Sequence, residues 1–268
     1  MRRDFTKMNG AGNDFVVMDN RDHTLHLSEQ NIVHLCDRHR GVGADGVLLV
    51  ESPDGEADLR MRYYNSDGRE AEMCGNGARC FARYAARLLP GDPAQLSFTT
   101  PAGIIRATLE GELVTVTMSG ASDYREPQWL NIGDKVCVHF INTGVPHAVV
   151  FVADTEAVPL TEWGAALRGH EDFAPRGTNA NFAQVLSAQL LRLRTYERGV
   201  EAETLACGTG VCAAALLHHI ATGASSPISV SVRGGETLRV GFAGEVGNFE
   251  SVTLTGPADF VFDGTISL

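Results

Sequence analysis

The sequence predicts an α/β chain (in layer terms α+β) built from two similar halves. Two observations carry that expectation. First, a block repeats: Gly68-Arg-Glu-Ala-Glu72 precedes Cys74-Gly-Asn-Gly77, and Gly199-Val-Glu-Ala-Glu203 precedes Cys207-Gly-Thr-Gly210. The two cysteines lie 133 positions apart, and the same offset relates Asn9 near Gly12 to Asn142 near Gly144. Gly43-Ala-Asp45 and Gly177-Thr-Asn179 follow at nearly that spacing. Matches in one register argue for internal duplication. Second, the chain reads as strands alternating with loops, with only a few helices.

The elements follow in order. Gly103 to Met118 alternates, with Glu110-Gly111-Glu112 between its arms, and reads as a hairpin. Ile228 to Val240, broken at Gly234-Gly235, reads as a second. Ala78 to Leu89 places Phe81, Tyr84, Ala85 and Leu88 near one helical face and stops at Pro90-Gly91. Val211 to Ala221 is apolar nearly all round, which predicts a helix buried on every side, with Gly223 as its stop. Two pseudo-equivalent domains would create a cleft between them, a common place for a ligand site.

Composition narrows the function. There are 22 Lys and Arg against 33 Asp and Glu, a net charge of −11. That balance repels polyanions, so no nucleic-acid partner is expected. No apolar run approaches the length of a membrane span, and no apolar stretch follows Arg2-Arg3. The expectation is a cytoplasmic protein with no membrane partner and reduced thiols. Six cysteines without a Cys-x-x-Cys pair give no zinc spacing, so no metal is expected.

The Cys-Gly-x-Gly loops carry the chemistry. Each stands immediately before a helix, whose N-terminus presents free N–H groups and positive partial charge. A thiol placed there is expected to become partly thiolate, and the N–H groups can hold a carboxylate. Cys36, Cys80, Cys137 and Cys212 lack that context and read as buried core residues. Gly208-x-Gly210-x-x-Ala213 also fits a dinucleotide fingerprint. The preceding segment Tyr196 to Glu203 is charged, and no acidic residue follows at the required distance, so that reading is set aside. Two activated thiols suit inversion of a carbon next to a carboxylate. A base removes the proton from one face and an acid returns one to the other.

Further segments carry a resemblance. Lys7-Met-Asn-Gly-Ala-Gly-Asn-Asp-Phe15, Asn65-Ser-Asp-Gly68, Met73-Cys-Gly-Asn-Gly-Ala-Arg-Cys80, Gly177-Thr-Asn-Ala-Asn-Phe182, Glu197-Arg-Gly199, Ala206-Cys-Gly-Thr-Gly210 and Val261-Phe-Asp-Gly-Thr-Ile266 together resemble the diaminopimelate epimerase family. The resemblance implies two domains, each a curved, mostly antiparallel sheet around a central helix, with the active site in the cleft. It places the last strand back in the first domain, giving residues 1–118 plus 257–268 and residues 119–256. It implies an isomerase that needs no cofactor, pyridoxal phosphate included, and interconverts LL- and meso-2,6-diaminopimelate on the route to lysine and cell-wall precursor. It also implies a homodimer.

By the same resemblance Cys74 is the proton donor and Cys207 the proton acceptor, with His147 and Glu197 flanking the reacting centre. Asn13, Asn65, Gly75, Asn76, Asn179, Glu197, Arg198, Gly208 and Thr209 fall on substrate-binding positions. Amides and a guanidinium suit a ligand with two ammonium and two carboxylate groups. Asp14, Asp45, Asp67 and Glu70 read as turn and cap residues. Gly46 stands where many members carry Gln, and Val145 where many carry Asn. The alternative reading is a proline or hydroxyproline racemase of the same architecture.

Overall fold

The computed structural model describes residues 2–71 and 73–268. Glu72, part of the first repeated block, lies outside the described residues. The chain divides into two compact units, Met1–Val116 with Gly256–Leu268, and Thr117–Thr255.

The first unit runs β1 (Arg2–Gly10), β2 (Asn13–Asp19), α1 (Glu29–Cys36), β3 (Gly46–Glu51), β4 (Leu59–Asn65), β5 (Glu70–Ala71), α2 (Gly75–Ala86), β6 (Gln95–Thr100), β7 (Gly103–Glu110) and β8 (Leu113–Thr117). The second runs β9 (Ser122–Asn131), β10 (Lys135–Asn142), β11 (Pro146–Phe151), α3 (Leu160–Arg168), a short 3-10 turn, β12 (Asn179–Ser187), β13 (Leu190–Glu197), β14 (Ala202–Thr204), α4 (Gly208–Thr222), β15 (Ile228–Ser231), β16 (Thr237–Glu245) and β17 (Asn248–Pro257). The final strand, β18 (Asp259–Ser267), pairs antiparallel with β1 in the first unit.

The pairing pattern is the same in both units. β1 and β2 form an antiparallel hairpin, as do β10 and β11. A helical crossover, α1 or α3, then brings β3 parallel to β2 and β12 parallel to β11. β4 returns antiparallel to β3, and β13 to β12. After the long helix the chain adds a parallel strand, β6 on β4 and β15 on β13, and then an antiparallel one. β9 lies antiparallel on β10 as β18 lies on β1. Both hairpins read from sequence form, with Glu110 opposite Leu113 and Ile228 opposite Val240.

Two helices cover each sheet because its central strands are apolar on both faces. All six residues of β3 are buried. Val47 and Leu49 pack with Ile32 and Leu35 of α1. Leu48 turns the other way, toward Gly77 of α2. In the second unit Ala180 and Phe182 pack with Leu160 and Leu167 of α3. Each large apolar side chain fully buried in this way contributes about 1.5–3 kcal/mol.

The long helices begin earlier than their apolar periodicity indicates. α2 starts at Gly75 and α4 at Gly208, three residues before each expected start. Glycine and asparagine are poor helix formers, yet Cys74 and Cys207 act as extended N-cap residues that launch the helix through them. Gly223, at φ 73°, ends α4 in the left-handed conformation that glycine tolerates best. One cysteine departs from expectation. Cys36, Cys80 and Cys212 are buried, but Cys137 is partly exposed, because β10 presents it to the more open face of its sheet.

Candidate active site

In the first unit the site residues gather where α2 begins. Cys74 Sγ accepts from the Gly77 amide at 3.5 Å and lies 3.6 Å from Asn13 Oδ1. Asn13 in turn donates to Asp45 Oδ2 at 2.6 Å. Asn65, at the exposed end of β4, sits opposite Gly46 and accepts from the Tyr63 hydroxyl at 2.7 Å. Gly75 and Asn76 are buried in the first turn of α2.

Buried Arg79 braces that turn. Its guanidinium donates to Asn76 Oδ1 at 3.0 Å, to the carbonyls of Gly75 and Pro257 at 3.3 Å, and to Gly10 O at 3.5 Å. One side chain thus ties α2 to the end of β1 and the last residue of β17, just before the returning strand β18. The planar fork of arginine suits such multidentate anchoring.

Asp14 and Asp45 do more than shape turns. Arg38 donates to both Asp14 oxygens at 2.9 Å and to Asp45 at 2.8 Å, and Lys7 lies 2.7 Å from Asp14. Lys7 also donates to Gly43 O. Burial pushes the Asp14 carboxyl up, but the hydrogen bonds and charges of Arg38 and Lys7 outweigh it and hold it at about 2. This network orients Asp45, which holds Asn13. Asp67 caps the Arg69 amide, as a turn residue would, and Glu70 forms a two-point pair with Arg62.

In the second unit Cys207 opens α4 and is buried, with Sγ 3.5 Å from Thr209 Oγ1. Thr143 donates to the Thr209 carbonyl at 2.9 Å, fixing the turn. Gly208 is buried in the same turn. Asn179 accepts from the Arg198 amide at 2.9 Å and donates to Pro146 O at 3.3 Å, joining the ends of β11 and β13. Arg198 donates to Arg176 O, and Glu197 accepts from Thr204 at 2.9 Å. Glu197 and Arg198 therefore have separate partners rather than forming a surface pair.

His147 is completely enclosed. Burial, helped by nearby Arg198, lowers its pKa to about 3, so the ring is neutral. Its Nδ1 lies 3.1 Å from Asn181 Nδ2, and its Nε2 has no hydrogen-bond partner among the described residues. Gly210 allows this closeness. A Cβ there would fall 2.5 Å from Asn181 Oδ1, and 3.4 Å from both Cys207 Sγ and His147 Cε1.

The equivalent slot at Gly77 is lined by Phe15, Leu48 and Cys74. Strand register explains the correspondence. Phe15 pairs with Gly46 as His147 pairs with Asn179, and Leu48 lies opposite Tyr63 as Asn181 lies opposite Thr195. The two units therefore present similar thiols beside different slots, apolar at Gly77 and polar at Gly210. Asn181 lies within the Gly177–Phe182 segment, which assigns it no role, and Thr195 lies in no motif; the register brings both forward. The register also refines the repeat. Gly43 and Gly177 share a positive φ, yet Asn179 falls opposite His147 where Gly46, not Asp45, falls opposite Phe15.

Among the described residues no group of three or more His, Cys, Asp or Glu side chains is placed to hold a metal ion, and no helix is long and apolar enough to cross a membrane. Burial pushes the Cys36 and Cys80 thiols up to about 12, which leaves them inert at neutral pH.

Known proteins resemble this chain over its length. The diaminopimelate epimerase family profile matches residues 5–123 and 139–261. A diaminopimelate epimerase of Aquifex aeolicus (strain VF5) is 43% identical over 277 residues, covering 98% of each chain. One from Chlorobaculum tepidum is 41% identical over 97% of this chain and 100% of its own. Among solved structures, a hydroxyproline epimerase from Agrobacterium vitis superposes with a TM-score of 0.74 at 16% identity, covering 100% of this chain and 93% of that one. A PhzF-family phenazine biosynthesis protein of Bacillus anthracis reaches the same TM-score and identity over 100% of both chains. At such low identity these likenesses speak to the fold alone. The family match and the full-length identities, joined to the duplicated Cys-Gly-x-Gly helix starts, show that this chain belongs to the diaminopimelate epimerase family.

Proposed function

We propose that the protein interconverts LL- and meso-2,6-diaminopimelate without a cofactor, using Cys207 and Cys74 as base and acid. The observation that carries this reading is the repeated thiol at a helix N-cap, once in each like-patterned unit. From the LL isomer, Cys207 as thiolate takes the α-proton and becomes a thiol. Cys74 as thiol delivers its proton to the opposite face and becomes a thiolate. The reverse reaction exchanges the roles. The N–H groups of Gly75, Asn76, Gly208 and Thr209 hold the α-carboxylate and stabilise the negative charge that develops at the carbon. Asn13, Asn65, Asn179 and Arg198 receive the ligand's remaining polar groups, and His147 and Glu197 flank the reacting centre. In this reading the epimerase domains are 1–118 plus 257–268 and 119–256, in a cytoplasmic homodimer that supplies lysine and cell-wall precursor.

The test is chiral chromatography of the purified protein with LL-diaminopimelate, L-proline and trans-4-hydroxy-L-proline, with no cofactor added. Epimerisation of diaminopimelate alone is expected, and Cys74→Ala and Cys207→Ala are each expected to abolish it without loss of fold. Turnover of proline or hydroxyproline in its place would assign the alternative activity. Near-normal turnover by either variant would sink the two-thiol mechanism.

A further inference from the structure

The proton position on His147 can be assigned from the atoms around it. Asn181 Nδ2 lies 3.0 Å from Ala148 O and 3.3 Å from Asn179 O. Carbonyls only accept, so the amide nitrogen must face them. The other end of the amide agrees, since the Thr195 hydroxyl donates to Asn181 Oδ1 at 2.9 Å. The two carbonyls fix the orientation, and the hydroxyl is compatible with it. The same Nδ2 lies 3.1 Å from His147 Nδ1, and because an amide nitrogen cannot accept, a proton on Nδ1 would face a donor. A neutral ring with a bare Nδ1 carries its proton on Nε2. That N–H is the atom with no partner among the described residues, although the side chain is wholly buried. His147 Cε1 and Cys207 Sγ both border the Gly210 position, each 3.4 Å from where a Cβ would stand.

The other unit supplies the contrast. There Phe15 and Leu48 fill the corresponding positions beside Gly77, so the fold forms this slot without polar side chains. Leaving a buried donor unsatisfied is costly, and of the two slots only the one at Gly210 carries that cost.

We propose that Asn181 is a positioning residue: it holds His147 in the neutral tautomer protonated at Nε2, so that the ring offers a hydrogen-bond donor, not an acceptor or a cation, beside Cys207. A donor there stabilises negative charge on substrate as the α-proton leaves. The catalytic consequence rests on Cys207 acting as the proton acceptor, whereas the tautomer assignment does not.

The test is NMR of protein labelled with 15N-histidine, without substrate, at neutral pH. The His147 signals are identified by their loss in the double variant His147→Phe/Asn181→Leu, which copies the Phe15 and Leu48 packing. The expected wild-type pattern is a protonated Nε2 and an unprotonated Nδ1. A protonated Nδ1, or a doubly protonated ring, would overturn the proposal, and this measurement needs no variant of Asn181 alone to fold.

In Asn181→Asp the carboxylate accepts where the amide donated, so Nδ1 should gain a proton. Diaminopimelate kcat should then fall by about 10²-fold, the usual cost of losing one donor aimed at developing charge, with KM little changed. Asn181→Leu should lower kcat similarly and release the tautomer preference. A fall in kcat with the wild-type tautomer intact in both variants would reduce Asn181 to a packing role. A correct tautomer in a protein that leaves diaminopimelate untouched would overturn the proposed activity and leave the assignment standing.

Discussion

His147 shows how one buried side chain reaches beyond its site. In the folded chain burial holds its pKa at about 3, whereas the unfolded chain titrates near the ordinary 6.5. The unfolded state therefore binds more protons below pH 6.5, and folding stability falls as pH falls through that window. The contribution is complete above about pH 6.5 and lost progressively toward pH 3. Replacing His147 by glutamine, which does not titrate, should flatten stability against pH between 7 and 5. Asp14, whose pKa lies at about 2, stays ionised throughout that range and does not confuse the comparison. Urea midpoints of both proteins at pH 7 and pH 5 provide the check, and equal losses for both would show that the ring titrates normally. At this scale the cysteines and the glycines around them were legible, because their residue types are unusual before a helix. The role of Asn181 was not, although it sits in the Gly177–Phe182 segment, and Thr195 was not at all, since each acquires meaning only from its cross-strand partner.

Helices α2 and α4 begin on the same Cys-Gly-x-Gly pattern, yet their last motif glycines are constrained differently. A Cβ at Gly77 would meet Leu48, Phe15 and Cys74 at 3.4–3.5 Å, ordinary contact distances. A Cβ at Gly210 would meet Asn181 Oδ1 at 2.5 Å. Alanine also favours the helix over glycine by roughly 1 kcal/mol. Gly77→Ala should therefore keep wild-type stability or gain slightly, and Gly210→Ala should lose about 1–3 kcal/mol through overpacking. Thermal unfolding of the two variants tests this, and equal stabilities would mean that the His147–Asn181 cluster yields more easily than its bonding indicates. The long helices were legible from their apolar faces, but not their first turns, where glycine and asparagine carry no helical preference. α1 and α3 escaped because they are short. α1 buries only Ile32, Leu35 and Cys36, too few residues to establish a period.

Duplication governs the whole molecule, and two features let it be seen in one sequence. The Cys-Gly-x-Gly loops kept their residue types, and Asn9 and Asn142 kept a similar role in turns of different length, accepting from a glycine amide three and two residues on respectively. The cores kept only their apolar character, so the shared strand order became visible through pairing rather than through residue identity. The duplication supplies two thiols with unlike neighbours, and their separate exchange with solvent distinguishes one-base from two-base inversion. In heavy water each thiol equilibrates with deuterium before substrate binds. If Cys207 takes the proton from the LL isomer and Cys74 delivers, the meso product carries deuterium from the first turnover. Unreacted LL substrate gains label only through back-reaction. Starting from the meso isomer, the pattern mirrors itself, because Cys207 now delivers and Cys74 removes. A single base serving both faces would instead return part of the original hydrogen to the product. Mass spectrometry of both isomers at early conversion, begun from each in turn, is expected to show full label in product and almost none in substrate. Retention of the original α-hydrogen in the product, from either direction, would exclude two independent thiols even if both cysteines proved indispensable.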